Sequence, residues 1–119
     1  MEASENRQHI RVPLNLPISC KYAKSFFNSH RFQGETRDIS YGGLGIMTDN
    51  PNGFKVGQKL KFRVQLYPGD FKIKGEGIVC WVDEKKVPDR PINMGVRLDR
   101  IRRYGIWCEK IEKNIHKMG

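Results

Sequence analysis

Between Val12 and Tyr22 every second residue is apolar: Val12, Leu14, Leu16, Ile18, Cys20 and Tyr22 alternate with Pro13, Asn15, Pro17, Ser19 and Lys21. Successive side chains of an extended chain point to opposite faces, so a period of two specifies a strand buried on one side. The pattern returns at Lys59–Tyr67, where Leu60, Phe62, Val64 and Leu66 share a face, and again at Ile92, Met94, Val96 and Leu98. Arg31–Ile39, interrupted by Gly34, and Leu44–Thr48 are shorter candidates, and Phe71–Asp83 is a long one whose Gly75 and Gly77 permit a sharp bend. Asp49-Asn50-Pro51-Asn52-Gly53 and Pro68-Gly69-Asp70 supply turns between them. Six such runs with short connections and no helix between them predict an all-β fold, a six-stranded antiparallel β-barrel. Pro13 and Pro17 lack N–H donors, which places the first strand at an edge or a bulge.

From Arg100 onward the period changes. Ile101, Tyr104, Cys108, Ile111, Ile115 and Met118 are spaced by three and four, which predicts a C-terminal amphipathic α-helix despite Gly105. Its apolar stripe either packs on the barrel mouth or offers a weak dimer surface, and it is too short to specify a coiled coil unaided. The expected organisation is a flexible N-terminal arm over 1–11, a barrel over 12–99 and a helix over 100–119. A chain of 119 residues closes one core and does not divide into two.

Twenty-two Lys and Arg against 13 Asp and Glu leave a net charge of +9, so the long-range field favours anionic partners. Cys20, Cys80 and Cys108 are an odd number without CxxC spacing, which argues against a disulfide framework and a structural zinc and fits a reducing cytoplasm. The residues from Met1 to Arg7 contain no apolar run to act as a signal peptide, and no stretch of the sequence is long and apolar enough for membrane insertion. His9, His30 and His116 lie far apart, and no nucleophile–base or paired-carboxylate arrangement is recognisable, so neither an enzyme, a metal site nor a cofactor is expected.

Two stretches carry recognition chemistry. Arg7-Gln8-His9-Ile10-Arg11 puts two guanidiniums just before the first strand, and their planar forks suit phosphate oxygens, the O6/N7 edge of guanine or a purine face. A solvated basic pair has the same spacing. Asp38-Ile39-Ser40-Tyr41-Gly42-Gly43 ends a strand: Asp38 can accept from guanine N1–H and N2–H₂, Ser40 can bond a phosphate, and Gly43 lets a backbone approach closely. A turn in which Asp38 or Ser40 bonds its own backbone reads the same way.

Together the two stretches resemble the signature of the PilZ domain, the bacterial receptor module for cyclic di-GMP, in which RxxxR precedes [Asp/Asn]-x-Ser-x-x-Gly. Arg7 and Arg11 match the first half, and Asp38, Ser40 and Gly43 the second. The likeness runs from Asn6 to Asp99 and includes Gly77-Ile78-Val79-Cys80-Trp81-Val82 and Met94-Gly95-Val96-Arg97-Leu98, similar to the family's later strands. The resemblance implies that Arg7 and Arg11 wrap the ligand from the N-terminal arm, ordering it, while Asp38 and Ser40 hold a guanine and its phosphate on the barrel wall. Arg37, Trp81 and Arg97 are second-tier candidates, each equally readable as a solvated strand residue or, for Trp81, as core or rim packing. Relatives with an arginine just before RxxxR take an intercalated ligand dimer; Asn6 stands there, which favours one molecule per site.

The resemblance further implies a cytoplasmic adaptor that signals to a downstream protein controlling motility, exopolysaccharide or virulence. Two other readings compete. A small-barrel RNA or single-stranded DNA binder would use Tyr22, Phe26, Phe27, Phe32, Tyr67 and Trp81 for stacking, although RNA-binding signatures are absent. A PilZ-type domain that binds no nucleotide would serve as a protein-docking module.

Overall fold

The computed structural model describes residues 10–23, 28–49, 54–66, 71–83 and 92–118, the side chains of 116–118 excepted. Seven strands and one helix follow in order: β1 (Val12–Pro13), β2 (Pro17–Ala23), β3 (Ser29–Ser40), β4 (Gly43–Thr48), β5 (Lys59–Leu66), β6 (Phe71–Asp83), β7 (Ile92–Ile101) and α1 (Tyr104–Met118). Every pairing is antiparallel, and the ring runs β3–β2–β5–β6–β7–β4 before β4 returns to β3. That closure makes the six-stranded barrel and removes the free edges of a sheet. β1 is a short piece that pairs with the far end of β3, in line with β2.

The first alternating run is one strand in pattern and two in structure. Val12 faces Ile39 and Pro13 faces Asp38, but Pro17 faces Glu35, so Leu14–Leu16 oppose only Thr36 and Arg37. The extra residue is a bulge, and Thr36 stitches it. Its hydroxyl accepts from the Leu16 N–H at 2.9 Å and donates to the Leu14 carbonyl at 2.6 Å, while Asn15 Nδ2 donates to the Thr36 carbonyl at 2.9 Å. Both alternatives occur: among the described strands β1, which carries Pro13, pairs only with β3, whereas β2 pairs with β3 on one side and β5 on the other. The prolines mark the bulge.

The start of the helix is also corrected, from 100 to Tyr104, since Arg100 and Ile101 continue β7. Between Gly77↔Leu98 and Glu76↔Arg100 the register shifts by one at Asp99, which turns Ile101 rather than Arg100 toward the core. Arg103, at φ 58°, ends the turn into α1. The buried face of the helix is centred on Trp107 and Ile111, both fully buried, whereas Tyr104 from the predicted stripe is exposed. The period agrees with the sequence pattern and the phase differs by part of a turn.

Inward positions of the strands form one core with Trp107 and Ile111. At one end Tyr22, Phe32 and Phe54 pack ring against ring with centroids 4.9–6.1 Å apart, and α1 packs beside β1.

Candidate ligand-binding site

Alternation along β3 holds from Phe32 to Thr36 and then reverses. Thr36 faces Ile46 and Asp38 faces Gly45, leaving Arg37 as an extra residue between them. A bulge of one residue moves every later side chain to the opposite face. Ile39 therefore enters the core, fully buried, and Asp38 turns outward. β6 repeats the device. Val79 faces Val96 and Trp81 faces Gly95, with Cys80 the extra residue, so Val82 leans on the core and Trp81 is turned out.

The two turned residues share one row on the outer wall. Reading across strands, Pro13 faces Asp38, Asp38 faces Gly45, Gly45 faces Gly95, and Gly95 faces Trp81. The two central positions have no side chains, so the flanking ones lie over them. A Cβ on Gly45 would stand 2.9 Å from Asp38 Oδ1, and one on Gly95 only 2.0 Å from Trp81 Nε1. The result is a glycine-floored shelf with a carboxylate at one end and an indole at the other.

Two guanidiniums complete it. Arg11 Nη1 donates to Asp38 Oδ1 at 2.8 Å, and Arg37 Nε donates to Asp38 Oδ2 at 3.1 Å. The Arg37 guanidinium also lies over the Trp81 ring, 5.3 Å from its centroid, a cation–π distance. The Asp38 side chain is only 11% exposed, whereas those of Arg11 and Arg37 are 43% and 42% exposed. The carboxylate is thus nearly buried, and the arginines reach it from the solvent side.

One step along the same wall, Ser40 faces Gly43 and Gly43 faces Arg97, which is exposed. Ser40 is buried, and its hydroxyl donates to the Gly43 carbonyl at 3.2 Å across the two-residue turn Tyr41-Gly42. A Cβ on Gly43 would stand 2.6 Å from the Val96 carbonyl, so this glycine lets β4 close on β7. Arg7 lies outside the described residues. Among the described residues no group of His, Cys, Asp or Glu could hold a metal ion, and no helix is long and apolar enough to cross a membrane.

A strand row with this carboxylate, two arginines and the Ser-x-x-Gly turn coincides with a family match: the PilZ domain profile covers residues 5–111. The chain belongs to the PilZ domain family. Solved structures agree at the level of fold. The inhibitor of motility MotI/DgrA from Bacillus subtilis aligns with a TM-score of 0.67 at 18% identity, over 94% of this chain and 51% of that one, so this chain spans about half the length of that protein. The PilZ domain of YcgR from Escherichia coli, solved with c-di-GMP, gives 0.57 at 18% identity over 78% and 77% of the two chains. The PilZ domain of CeSA from a cellulose-synthesizing bacterium gives 0.50 at 17% identity over 72% and 79%. No curated protein matches by sequence.

In this PilZ domain the structure brings Arg11, Arg37, Asp38 and Trp81 together and sets Ser40, Gly43 and Arg97 beside them. Sequence reasoning missed Gly45 and Gly95. Their signal was present: each occupies an outward position in an alternating strand where a polar side chain is the rule. It also missed the fastening of the turn to the helix. Trp107 Nε1 donates to the Ser40 carbonyl at 2.8 Å, and the Tyr104 hydroxyl donates to the Tyr41 carbonyl at 2.9 Å.

Proposed function

We propose that this PilZ domain binds cyclic di-GMP on the shelf between Asp38 and Trp81. The observation that carries the proposal is the pair of bulges that turn an almost buried carboxylate and an indole onto one glycine-floored row, with two arginines already on the carboxylate. An ionised carboxylate has about four lone-pair sites, and Arg11 and Arg37 use two. Asp38 can therefore accept from guanine N1–H and N2–H₂ without releasing either arginine. Adenine has neither donor, so the same carboxylate selects against it.

The purine lies against the Trp81 ring and the Arg37 plane with its edge toward Asp38; Gly45 and Gly95 let the indole and the carboxylate lie low on the wall beneath it. Arg11 keeps one N–H on Asp38 and turns its remaining donors to a phosphate. Arg7 supplies the second fork: four residues of chain span at most about 14 Å, so it stays within reach of the same ligand. Arg97, exposed on the adjoining row, is a further phosphate contact. Ser40 plays a lesser part, since its hydroxyl proton is engaged by Gly43.

Closure of the arginines over a bound nucleotide changes the surface offered to a downstream protein, which makes the domain a non-enzymatic adaptor working in the cytoplasm. The fold likeness to an inhibitor of motility supports an output in motility control. Calorimetry with cyclic di-GMP tests the reading. Wild type binds saturably, and Arg11→Ala and Asp38→Ala each lose roughly 1.5–3 kcal/mol, the worth of a charged hydrogen bond. Absence of saturable binding by wild type at high micromolar ligand would move the chain to the protein-docking reading.

A further inference from the structure

A different chemistry occupies the side of the barrel centred on β5. In the ring β3–β2–β5–β6–β7–β4, the shelf spans β3, β4, β7 and β6, and β2 and β5 are the two strands it does not use. Across β5 and its neighbours, outward side chains form two rows. The first runs Arg31, Lys21, Lys61, Glu76, Arg100, each facing the next on the adjacent strand. The second runs Gln33, Ser19, Arg63, Lys74, and continues to Arg102, whose N–H donates to the Lys74 carbonyl at 2.9 Å. These residues line an open groove of about 1020 Å³.

The groove has seven cations, Lys21, Arg31, Lys61, Arg63, Lys74, Arg100 and Arg102, and one carboxylate, Glu76. The whole chain has 22 against 13, so the imbalance is local and not a reflection of composition. Lys21 directly faces both Arg31 and Lys61, and Arg63 faces Lys74. Like charges directly opposite across strands destabilise a sheet. Among the described residues the sole ion pair here is Lys61–Glu76 at 3.9 Å. A concave surface of one sign also focuses its field outward.

We infer that this groove is a docking surface for an acidic segment of a partner protein. The three central strands β2, β5 and β6, at a spacing of about 4.8 Å, make a band about 10 Å wide, and two rows of one face lie about 7 Å apart. That patch matches about two turns of a single helix, whose diameter is about 10 Å, or a short extended run. Four of its cations are arginines, whose forks suit carboxylates. Single-stranded nucleic acid calls for exposed aromatic platforms, and the groove's two aromatics, Phe32 and Phe62, are core residues 4% and 2% exposed. No described helix or ribbon projects from this wall to enter a duplex, and a concave band holds its charges back from a planar bilayer. The groove and the shelf share no residue, so partner and nucleotide can be held at once.

The test uses the full chain and three labelled probes of similar length or charge at fixed moderate salt: a polyglutamate peptide of roughly a dozen residues, an oligouridylate, and vesicles of mixed zwitterionic and anionic phospholipid. The peptide binds saturably and more tightly than the other two. Lys21→Glu/Arg63→Glu weakens it by about tenfold or more, while Lys110→Glu/Lys113→Glu on the helix, with the same change in net charge, leaves it within about twofold. Calorimetric binding of cyclic di-GMP is the same in both variants, which separates this surface from the shelf. Because Lys21→Glu replaces two repulsive cross-strand contacts by attractive ones, the groove variant melts no lower than wild type, so lost binding is not lost folding. Tighter binding of oligouridylate or vesicles, or equal loss in the helix variant, overturns the inference.

Discussion

Gly95 shows how much of the site depends on atoms that are absent. A methyl group there would stand 2.0 Å from Trp81 Nε1, inside any permitted contact, and the neighbouring ring is too broad to yield by a small rotation. Gly95→Ala therefore expels the indole from the shelf. The expected result is a loss of about 1–3 kcal/mol of stability from overpacking, seen in the thermal midpoint, with a shift of tryptophan emission and loss of nucleotide binding. Ser40 and Asp38 separate in the same way. The Ser40 hydroxyl makes one neutral bond inside the turn, so Ser40→Ala destabilises the fold by about 0.5–1.5 kcal/mol, and calorimetry should find it weakening cyclic di-GMP less than Asp38→Ala does. The signature residues were legible because their chemistry is local. The glycine floor was not, because a glycine acquires its meaning from the residue facing it on another strand.

At the scale of elements the alternating runs predicted the strands well, since burial on one face is written directly into a period of two. Bulges escape that reading. Arg37 and Cys80 interrupt no obvious pattern, and only the registers of β3 with β4 and of β6 with β7 reveal that the faces exchange there. The break between β1 and β2 was signalled by Pro13 and Pro17, but its stitch, Thr36, lies on β3, twenty residues away in sequence. Thr36→Val keeps the shape and removes a hydroxyl that satisfies the Leu16 N–H and the Leu14 carbonyl, both at the bulge. Leaving buried backbone groups unpaired costs about 1–3 kcal/mol. Urea unfolding measures it, and a change below about 0.5 kcal/mol would mean that the bulge holds without its threonine. The helix phase departs from the sequence pattern because β7, with its bulge at Asp99, runs on through Arg100 and Ile101.

For the whole molecule, a ring of six strands carries a glycine-floored shelf and a groove studded with cations, and the groove's seven cations against one carboxylate account for +6 of the net charge of +9. The core between them also sets a pH dependence. Burial pushes the Cys20 thiol from its ordinary 9.0 up to about 12. The unfolded chain releases that proton near pH 9.0 and the folded chain keeps it. The contribution is therefore complete below pH 9.0 and is lost as pH rises toward about 12. Comparing urea midpoints of wild type and Cys20→Ala, the decline above pH 9.0 is steeper in wild type; identical slopes would contradict a buried neutral thiol.

The central claim is that the nucleotide lies between Asp38 and Trp81. An amide and indole NMR titration with cyclic di-GMP locates it most directly. The account predicts saturable shifts at Asp38, Gly45, Gly95 and the Trp81 indole, with Lys21, Lys61 and Arg63 on β2 and β5 unmoved. Shifts confined to β2 and β5, or none at all, would contradict it.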